Sequence, residues 1–257
     1  MGKGDKIKAK QSIPILVLLT RLWFPLSAFL FFFLSILSKE EMLARFLGNA
    51  SVVVIQVVEY GSQIELPEEA VRIADIPDYN ENNKYFKYFL DVITYMSQRN
   101  LNLDDTDYYW SPTLAYRDRL IIPFYYEGRI VGYTARAVGE SKSKYLTTMQ
   151  PGYVFNLDQQ HYNKVFCILC EGQIDALHVD GCAISGSDIG DAQAMLLNRL
   201  NKDIYVVPDR DRAGSKLVEQ AIDRGWHVSM PNWDLDINDI GDAVAKYGRL
   251  YTLYSIA

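Results

Sequence analysis

Residues 164–175 read Lys164-Val-Phe-Cys-Ile-Leu-Cys-Glu-Gly-Gln-Ile-Asp175, an apolar run that ends at Glu171, with Asp175 one helical turn further on. A short apolar run bounded by a glycine is typical of a strand buried on both faces of a parallel sheet. Helix-like and strand-like segments then alternate as far as residue 230. This alternation predicts an α/β domain with a parallel sheet, whose functional residues lie at the carboxyl ends of the strands.

Acidic residues follow three of these strand-like segments. Like charges about 4 Å apart cost on the order of 4 kcal/mol per pair at an effective dielectric constant near 20. A divalent cation removes that cost, and ligands that are all oxygen atoms favour Mg²⁺ or Mn²⁺. The pattern therefore predicts a metal site, although any one of these carboxylates alone is explained by solvent or by a helix start. The residues are Glu171 and Asp175 after the first segment, Asp209 and Asp211 after the second, and Asp234, Asp236 and Asp239 after the third.

A second pattern precedes this domain. The segment from Arg119 to Arg136 predicts two strands joined at Glu127-Gly128, which is a hairpin signal. Basic side chains interleaved with tyrosines on such a unit are suited to phosphates and bases. A solvated sheet face with scattered arginines explains the pattern equally well. The residues of this basic cluster are Arg117, Arg119, Arg129, Arg136, Lys142 and Lys144, with Tyr145 beside them.

Composition limits the classes of protein that remain. The 257 residues are 49% hydrophobic and carry a net charge of −6, so the chain can bury a core and is not coated in basic patches. Apolar spacing predicts an amphipathic helix from Tyr85 to Arg99. We divide the chain into an N-terminal segment (1–60), a mixed α+β basic subdomain (61–160) and the α/β domain (161–257).

The N-terminal segment differs from the rest in charge and hydropathy. It has seven Lys or Arg against four Asp or Glu, and residues 13–38 are strongly apolar but interrupted by Arg21 and Pro25. The uncharged run from Leu22 to Ser38 is only borderline for a membrane span. We therefore interpret residues 13–38 as a buried part of a folded domain, with a membrane anchor as the alternative.

Two acidic motifs, Glu171-Gly-Gln-Ile-Asp175-Ala and Pro208-Asp-Arg-Asp-Arg-Ala-Gly214, resemble those of the TOPRIM fold, which occurs in DnaG-type primases, topoisomerases and some nucleases. The segments that precede them resemble the basic subdomain of DnaG-type primases, which topoisomerases and TOPRIM nucleases lack. These segments are Arg117-Asp-Arg-Leu-Ile-Ile-Pro-Phe, Gly128-Arg-Ile-Val-Gly-Tyr-Thr-Ala-Arg136 and Lys144-Tyr-Leu. The resemblance covers about residues 64–250 and implies a TOPRIM domain behind a basic α+β subdomain.

The resemblance implies synthesis of short RNA primers on a single-stranded DNA template from nucleoside triphosphates, with Mg²⁺ or Mn²⁺ as cofactor. The implied catalytic residues are Glu171, Asp175, Asp209 and Asp211. The implied metal ligands are Glu171, Asp209, Asp211, Asp236 and Asp239. The implied contacts to template or nucleotide are Arg117, Arg119, Arg136, Lys144, Tyr145 and Arg210.

Three departures from this family bear on partners. Arg210 stands between the two aspartates where bacterial relatives usually have a small residue. The first fifty residues hold no cysteine or histidine for a zinc ribbon, so we expect any zinc-binding template reader to be a separate protein. No Gly-x-x-x-x-Gly-Lys-Ser/Thr motif appears, so we expect a separate replicative helicase.

A primase of this kind is expected in the cytoplasm, or in the host cytoplasm if it is viral. Two alternatives stay open: a metal-dependent TOPRIM nuclease, and a non-catalytic replication scaffold held at a membrane by residues 13–38.

Overall fold

Two sheets, one antiparallel and one parallel, organise residues 63–76 and 82–256, which the computed structural model describes. The strands are β1 (Val71–Arg72), β2 (Tyr109–Trp110), β3 (Arg119–Tyr126), β4 (Arg129–Ala137), β5 (Tyr145–Met149), β6 (Phe166–Cys170), β7 (Cys182–Ala183), β8 (Asp203–Val206) and β9 (His227–Val228). The helices are α1 (Phe86–Gln98), α2 (Gln173–His178), α3 (Asp191–Asn198), α4 (Arg212–Asp223), α5 (Ile240–Tyr247) and α6 (Arg249–Ile256). Short 3₁₀ turns occur at Ile73–Asp75 and Leu157–Gln159.

The predictions for the N-terminal segment lie outside the described residues. This applies to residues 1–60 as an N-terminal apolar segment and to residues 13–38 as a buried segment or a membrane anchor. Within 63–76 and 82–256, none of the helices is both long and apolar enough to span a membrane.

The antiparallel sheet has the order β1-β2-β3-β4-β5 and is built around the β3–β4 hairpin. Its turn residues Glu127 and Gly128 have φ angles of 50° and 71°. Two consecutive positive φ angles suit a two-residue turn whose twist matches the strands, which explains why glycine occurs there. The predicted hairpin is confirmed.

The two faces of this sheet bury different sets of side chains. Leu120, Ile122 and Phe124 enter the large core, whereas Ile121 packs with Tyr133 on the opposite face. Helix α1 covers the core face, where the rings of Phe89 and Trp110 meet edge to face at 5.5 Å. The predicted amphipathic helix is confirmed, and its buried stripe is formed by Val92 and Met96.

The parallel sheet has the order β7-β6-β8-β9, with helices between successive strands. The chain leaves β6 towards β7 on one side and then crosses back, so that β8 pairs with β6 on the other side. The order of the strands therefore reverses between β6 and β8, and a crevice forms there at the carboxyl ends of the strands. The predicted α/β domain is confirmed.

Aromatic packing joins the two sheets in one core. The ring of Phe124 stacks on Tyr153 at 5.1 Å and meets Phe155 at 5.6 Å. The backbone N–H of Phe155 in turn donates to the carbonyl of Ala183 in β7 at 2.8 Å. Since burial of each such ring stabilises the fold by about 1.5–3 kcal/mol, this junction holds the antiparallel sheet beside the parallel sheet.

Candidate active site

A cleft of about 620 Å³ lies between the last two strands of the antiparallel sheet and the carboxyl end of the parallel sheet. One wall carries carboxylates from the loops after β6 and β8 and from the start of α5. The other wall carries basic, aromatic and hydroxyl side chains of β4, β5 and α1. The cleft thus opens at the point where the order of the parallel strands reverses.

The acidic wall begins with Glu171 and Asp209, each placed by the end of a strand. Glu171 follows β6 directly, and Asp209 follows β8 after Val207 and Pro208. The backbone N–H of Val207 donates to the carbonyl of Leu169 at 2.9 Å, so the ladder between the two strands continues up to the cleft. Because β6 and β8 are neighbours in a parallel sheet, their carboxyl ends bring these two residues to the same edge.

Gly214 in the second acidic motif has a steric role. A Cβ atom at this position would lie 1.9 Å from the carbonyl oxygen of Asp209. The first turn of α4 therefore packs directly on the backbone that carries Asp209. Asp211 caps the same helix, since its Oδ1 accepts a 2.9 Å hydrogen bond from the backbone N–H of Gly214.

Asp175 and Asp239 complete the acidic wall from two different helices. Asp175, 8% exposed, lies in the first turn of α2, and its Oδ1 accepts a 2.8 Å hydrogen bond from the backbone N–H of Gly241. Asp239 caps α5 by accepting from the backbone N–H of Asp242 at 2.6 Å. A side chain at Gly241 would have its Cβ 3.2 Å from a carboxylate oxygen of each aspartate, so glycine allows them to crowd together.

Burial and mutual repulsion raise the pKa values of this wall. Burial raises the pKa of Asp175 to about 7, and the charge of Asp239 adds to the effect. Burial likewise raises the pKa of Asp209 to about 7, with further contributions from Asp175 and Glu171. The pKa of Glu171 is raised by burial and by Asp211, and lowered by a backbone hydrogen bond from Asp209. These carboxylates therefore act on one another, and burial and mutual repulsion outweigh the stabilising contacts that would keep them ionised.

The basic wall is a layered arrangement around Arg136. In β4, Arg136 pairs with Tyr145 of β5 and with Leu120 of β3, which places its side chain on the face that packs against α1. Its guanidinium carbon lies 4.7 Å from the ring centroid of Tyr145 and 5.8 Å from that of Tyr95. The Nζ atom of Lys144 lies 5.8 Å from the centroid of the same Tyr145 ring. Arg136, Lys144 and Tyr145, which the family resemblance implies as contacts to template or nucleotide, line the cleft.

Arg99 and Tyr95 line the cleft as well, and neither was predicted as a site residue. They lie one helical turn apart at the end of α1, so their i, i+4 spacing was the available signal. Arg99 is close to the acidic wall, since its Nη2 lies 2.8 Å from where a Cβ on Gly241 would be. It also lowers the pKa of Asp175. Only the fold brings the end of this helix, which is far away in sequence, to the carboxylates.

The remaining predicted residues, which are Arg117, Arg119, Arg210, Asp211 and Asp236, lie outside the cleft lining. Arg119 is buried on the face opposite Arg136, where it donates to the carbonyl oxygens of Ala115, Ala135 and Ser143. The guanidinium carbon of Arg117 lies 4.3 Å from the ring centroid of Tyr88.

Asp236 and Arg210 have protein partners of their own. Asp236 is exposed and forms a 2.8 Å ion pair with Lys246, which holds the pKa of Asp236 below its usual value. The guanidinium of Arg210 donates to backbone carbonyls of the Pro231–Ile237 segment.

Four buried polar atoms of cleft-lining residues have no hydrogen-bond partner within the described part of the chain, and four others lie elsewhere. Buried side-chain atoms without a hydrogen-bond partner in the described ranges include Oε1 of Glu171, Nε of Arg99, Nε of Arg136 and the hydroxyl of Tyr95. Such atoms are costly to bury and are expected where a ligand completes the site. Among residues 63–76 and 82–256, however, no three His, Cys, Asp or Glu side chains are arranged tightly enough to enclose a metal ion. The donor set still fits a hydrated divalent cation, because Mg²⁺ keeps several water ligands and needs only one or two carboxylates.

Comparison with known proteins identifies the fold. No protein-family model and no curated protein sequence matches the chain. A DnaG primase catalytic domain bound to single-stranded DNA superposes with a TM-score of 0.53 at 16% identity, over 64% of this chain and 70% of that one. The primase fragment of the bacteriophage T7 primase-helicase gives a TM-score of 0.48 at 15% identity, over 63% and 69% of the two chains. The Escherichia coli primase catalytic core gives 0.45 at 19% identity, over 54% of this chain and about half, 51%, of that one.

The architecture is therefore that of a TOPRIM-type domain, a parallel sheet flanked by helices, joined to an antiparallel sheet. More particularly, this chain has the fold of the DnaG primase catalytic core.

Proposed function

We propose that this protein is a metal-dependent primase, which joins ribonucleotides into short primers on a single-stranded DNA template. One observation carries the proposal: a single cleft has Glu171 and Asp209 on one wall and Arg136, Lys144 and Tyr145 on the other. A nucleotidyl transfer site needs both features, because the polyphosphate requires cations and the template requires a positive, aromatic surface. The likeness in fold to a DnaG domain bound to single-stranded DNA supports the same assignment.

The acidic wall is proposed to hold Mg²⁺ or Mn²⁺. Glu171 and Asp209 of this wall are the proposed ligands together with Asp211, which lies outside the cleft lining, and Asp175 and Asp239 are beside them. When bound, such an ion stabilises the negative charge that develops as the 3′-hydroxyl attacks the α-phosphorus and pyrophosphate leaves. The carboxylates contribute by staying ionised around it, and Gly241 contributes by holding Asp175 in place through its backbone N–H.

The basic wall is proposed to bind the nucleic acid and the nucleotide. Lys144 neutralises a backbone phosphate, while Tyr145 offers a ring face to a base. Arg136 is oriented by the rings of Tyr95 and Tyr145, so its guanidinium is presented to the cleft in a fixed direction. Arg99 is close enough to the carboxylates to contact a phosphate that they share with a metal ion.

The proposed partners follow from this activity. They are single-stranded DNA, nucleoside triphosphates, a separate replicative helicase and a separate zinc-binding template reader. The proposed place of action is the cytoplasm, or the host cytoplasm for a viral protein.

The test is incorporation of labelled ribonucleotides on single-stranded DNA with Mg²⁺ or Mn²⁺, with and without an added helicase or zinc-binding protein. We expect Asp209→Ala to abolish synthesis while the protein stays folded. Asp203→Asn is the matched control, because Asp203 starts the strand that Asp209 follows and is exposed at the opposite end. Cleavage of the DNA without synthesis would replace the primase by the nuclease alternative, and absence of both activities would favour the scaffold.

A further inference from the structure

Arg210 makes an unusual set of contacts for a residue within an acidic motif. Its Nη1 donates to the carbonyl oxygens of Trp233, Asp234 and Ile237 at 3.1, 2.9 and 3.3 Å. Its Nη2 donates to the carbonyl oxygen of Pro231 at 2.6 Å. The guanidinium carbon also lies 5.7 Å from the ring centroid of Trp233. The side chain of Arg210 thus forms hydrogen bonds with four carbonyl groups of a single loop.

The backbone of Arg210 reinforces this arrangement. Its N–H donates to the carbonyl oxygen of Asn238 at 2.8 Å. Asn238 immediately precedes Asp239, the residue that caps α5 and lines the cleft. The contacts of Arg210 therefore continue through the loop up to the third acidic segment, while Asp209 and Asp211 flank Arg210 in the second.

The charge balance explains why an arginine is suited to this position. Four carbonyl dipoles that point at one place repel one another unless a cation or several donors lie between them. A guanidinium offers five N–H donors in a rigid fork and keeps its charge at all working pH values. A lysine has three donors on one nitrogen and cannot satisfy four carbonyls with the same geometry.

We propose that Arg210 is a positioning residue, which ties the Pro231–Asn238 loop to the second acidic motif and so sets Asp239 in the divalent-cation site. The expected effect of Arg210 on primer synthesis rests on the proposed function. Its effect on the position of Asp239 concerns the metal site alone. It assigns the side chain of Arg210 to the loop carbonyls and not to a phosphate of the substrate.

The experiment measures Mn²⁺ affinity by electron paramagnetic resonance and the Mg²⁺ requirement of primer synthesis, for the full chain and its variants. We expect Arg210→Ala to weaken Mn²⁺ binding about tenfold, which corresponds to the loss of about 1.4 kcal/mol. The Mg²⁺ concentration that gives half-maximal primer synthesis should rise in parallel. The affinity for single-stranded DNA should stay unchanged. The matched control is Arg224→Ala, since Arg224 binds the carbonyl oxygen of Ile189 at 2.9 Å and does not line the cleft.

Chemical rescue separates positioning from a general loss of stability. Free guanidinium at about 10 mM, far below concentrations that unfold proteins, should restore Mn²⁺ binding in Arg210→Ala but not in Asp209→Asn. If Arg210→Ala does not fold, Arg210→Lys takes its place and should also weaken Mn²⁺ binding. Unchanged Mn²⁺ affinity in a folded Arg210 variant, or weakened DNA binding as the main effect, would overturn the proposal.

The two proposals fail in different ways. If the wild-type chain binds Mn²⁺ and makes no primers, the proposed function fails and the Mn²⁺ measurements still decide the role of Arg210. If primers are made and Arg210 variants keep full Mn²⁺ affinity, only the positioning role is lost.

Discussion

The backbone N–H of Gly241 donates a 2.8 Å hydrogen bond to Oδ1 of Asp175, although the two residues are 66 positions apart in the chain. The start of α5 therefore holds a carboxylate that belongs to α2. The same glycine leaves room for Arg99, whose Nη2 lies 2.8 Å from where a Cβ would be. The cleft thus depends on close backbone approach, in addition to the charged residues that line it.

Two aspartates of the third acidic segment should contribute unequally. Asp239 lines the cleft, whereas Asp236 is paired with Lys246 at the surface. We expect Asp239→Asn to reduce primer synthesis by about 10- to 100-fold, the range found when groups around a metal ion are lost. Asp236→Asn should cause a clearly smaller loss. Steady-state rates of primer synthesis at saturating Mg²⁺ measure the two losses. Equal losses would refute the unequal contribution of Asp239 and Asp236.

Stability should depend on pH through the raised carboxyl pKa values. Asp175 and Asp209 have pKa values of about 7 in the folded chain, against 3.8 ordinarily. Between pH 4 and 7 the folded state therefore binds more protons than the unfolded state, so stability falls as pH rises through this window. In EDTA, Asp209→Asn should be more stable than the wild type at pH 8 by roughly 1 kcal/mol, or about 2–4 °C in Tm.

That gain should shrink as the pH falls from 7 towards 4, because Asp209 is then increasingly protonated and neutral in the folded state. Added Mg²⁺ should raise the Tm of the wild type more than that of the variant. Thermal scans at pH 5 and pH 8, with EDTA or Mg²⁺, measure both effects. A variant less stable than the wild type at pH 8 in EDTA would contradict the proposed repulsion.

Lys144→Ala should weaken binding of single-stranded DNA by an electrostatic mechanism. The plot of log K against log salt has a negative slope. Removal of one phosphate contact makes this slope less negative by about 0.7 for a single strand. Fluorescence anisotropy over a salt series measures the slope. Lys164→Ala is the control, because Lys164 donates to the carbonyl of Asp180 at the opposite end of the parallel sheet. An unchanged slope for Lys144→Ala would remove this residue from the interface.

Gly214→Ala should be strongly destabilising. The added Cβ would lie 1.9 Å from the backbone carbonyl oxygen of Asp209, which cannot move without shifting the strand end. We expect a loss of about 3 kcal/mol or more, measured by urea unfolding. Gly139→Ala has no atom within 4 Å of its Cβ and should change stability by less than about 0.5 kcal/mol. Similar stabilities for the two variants would show that α4 does not pack on Asp209 in this way.

Local patterns were sufficient to predict the elements that place the acidic wall. The apolar run ending at Cys170 and the turn at Glu127-Gly128 each have one strong interpretation, because strand burial and positive φ angles depend on nearby residues. In a parallel sheet the carboxyl ends of strands meet by topology, so Glu171 and Asp209 could be expected at one edge.

The basic wall could be predicted only in part. Arg119 and Arg136 have similar sequence surroundings, yet one is buried against carbonyls and the other faces the cleft. Which face of the hairpin meets α1 is decided by packing between distant segments, and a sequence pattern carries no such information. For the same reason Arg99 was missed, and the carbonyl contacts of Arg210 were not foreseen.

The central claim is that carboxylates from separate strand ends form one divalent-cation site. The most direct measurement is Mn²⁺ binding to the full chain by electron paramagnetic resonance, with Glu171→Gln and Asp209→Asn beside the control Asp203→Asn. We predict that both cleft variants bind Mn²⁺ at least about tenfold more weakly than the wild type while the control binds it normally. Wild-type affinity in Glu171→Gln and Asp209→Asn would contradict the claim.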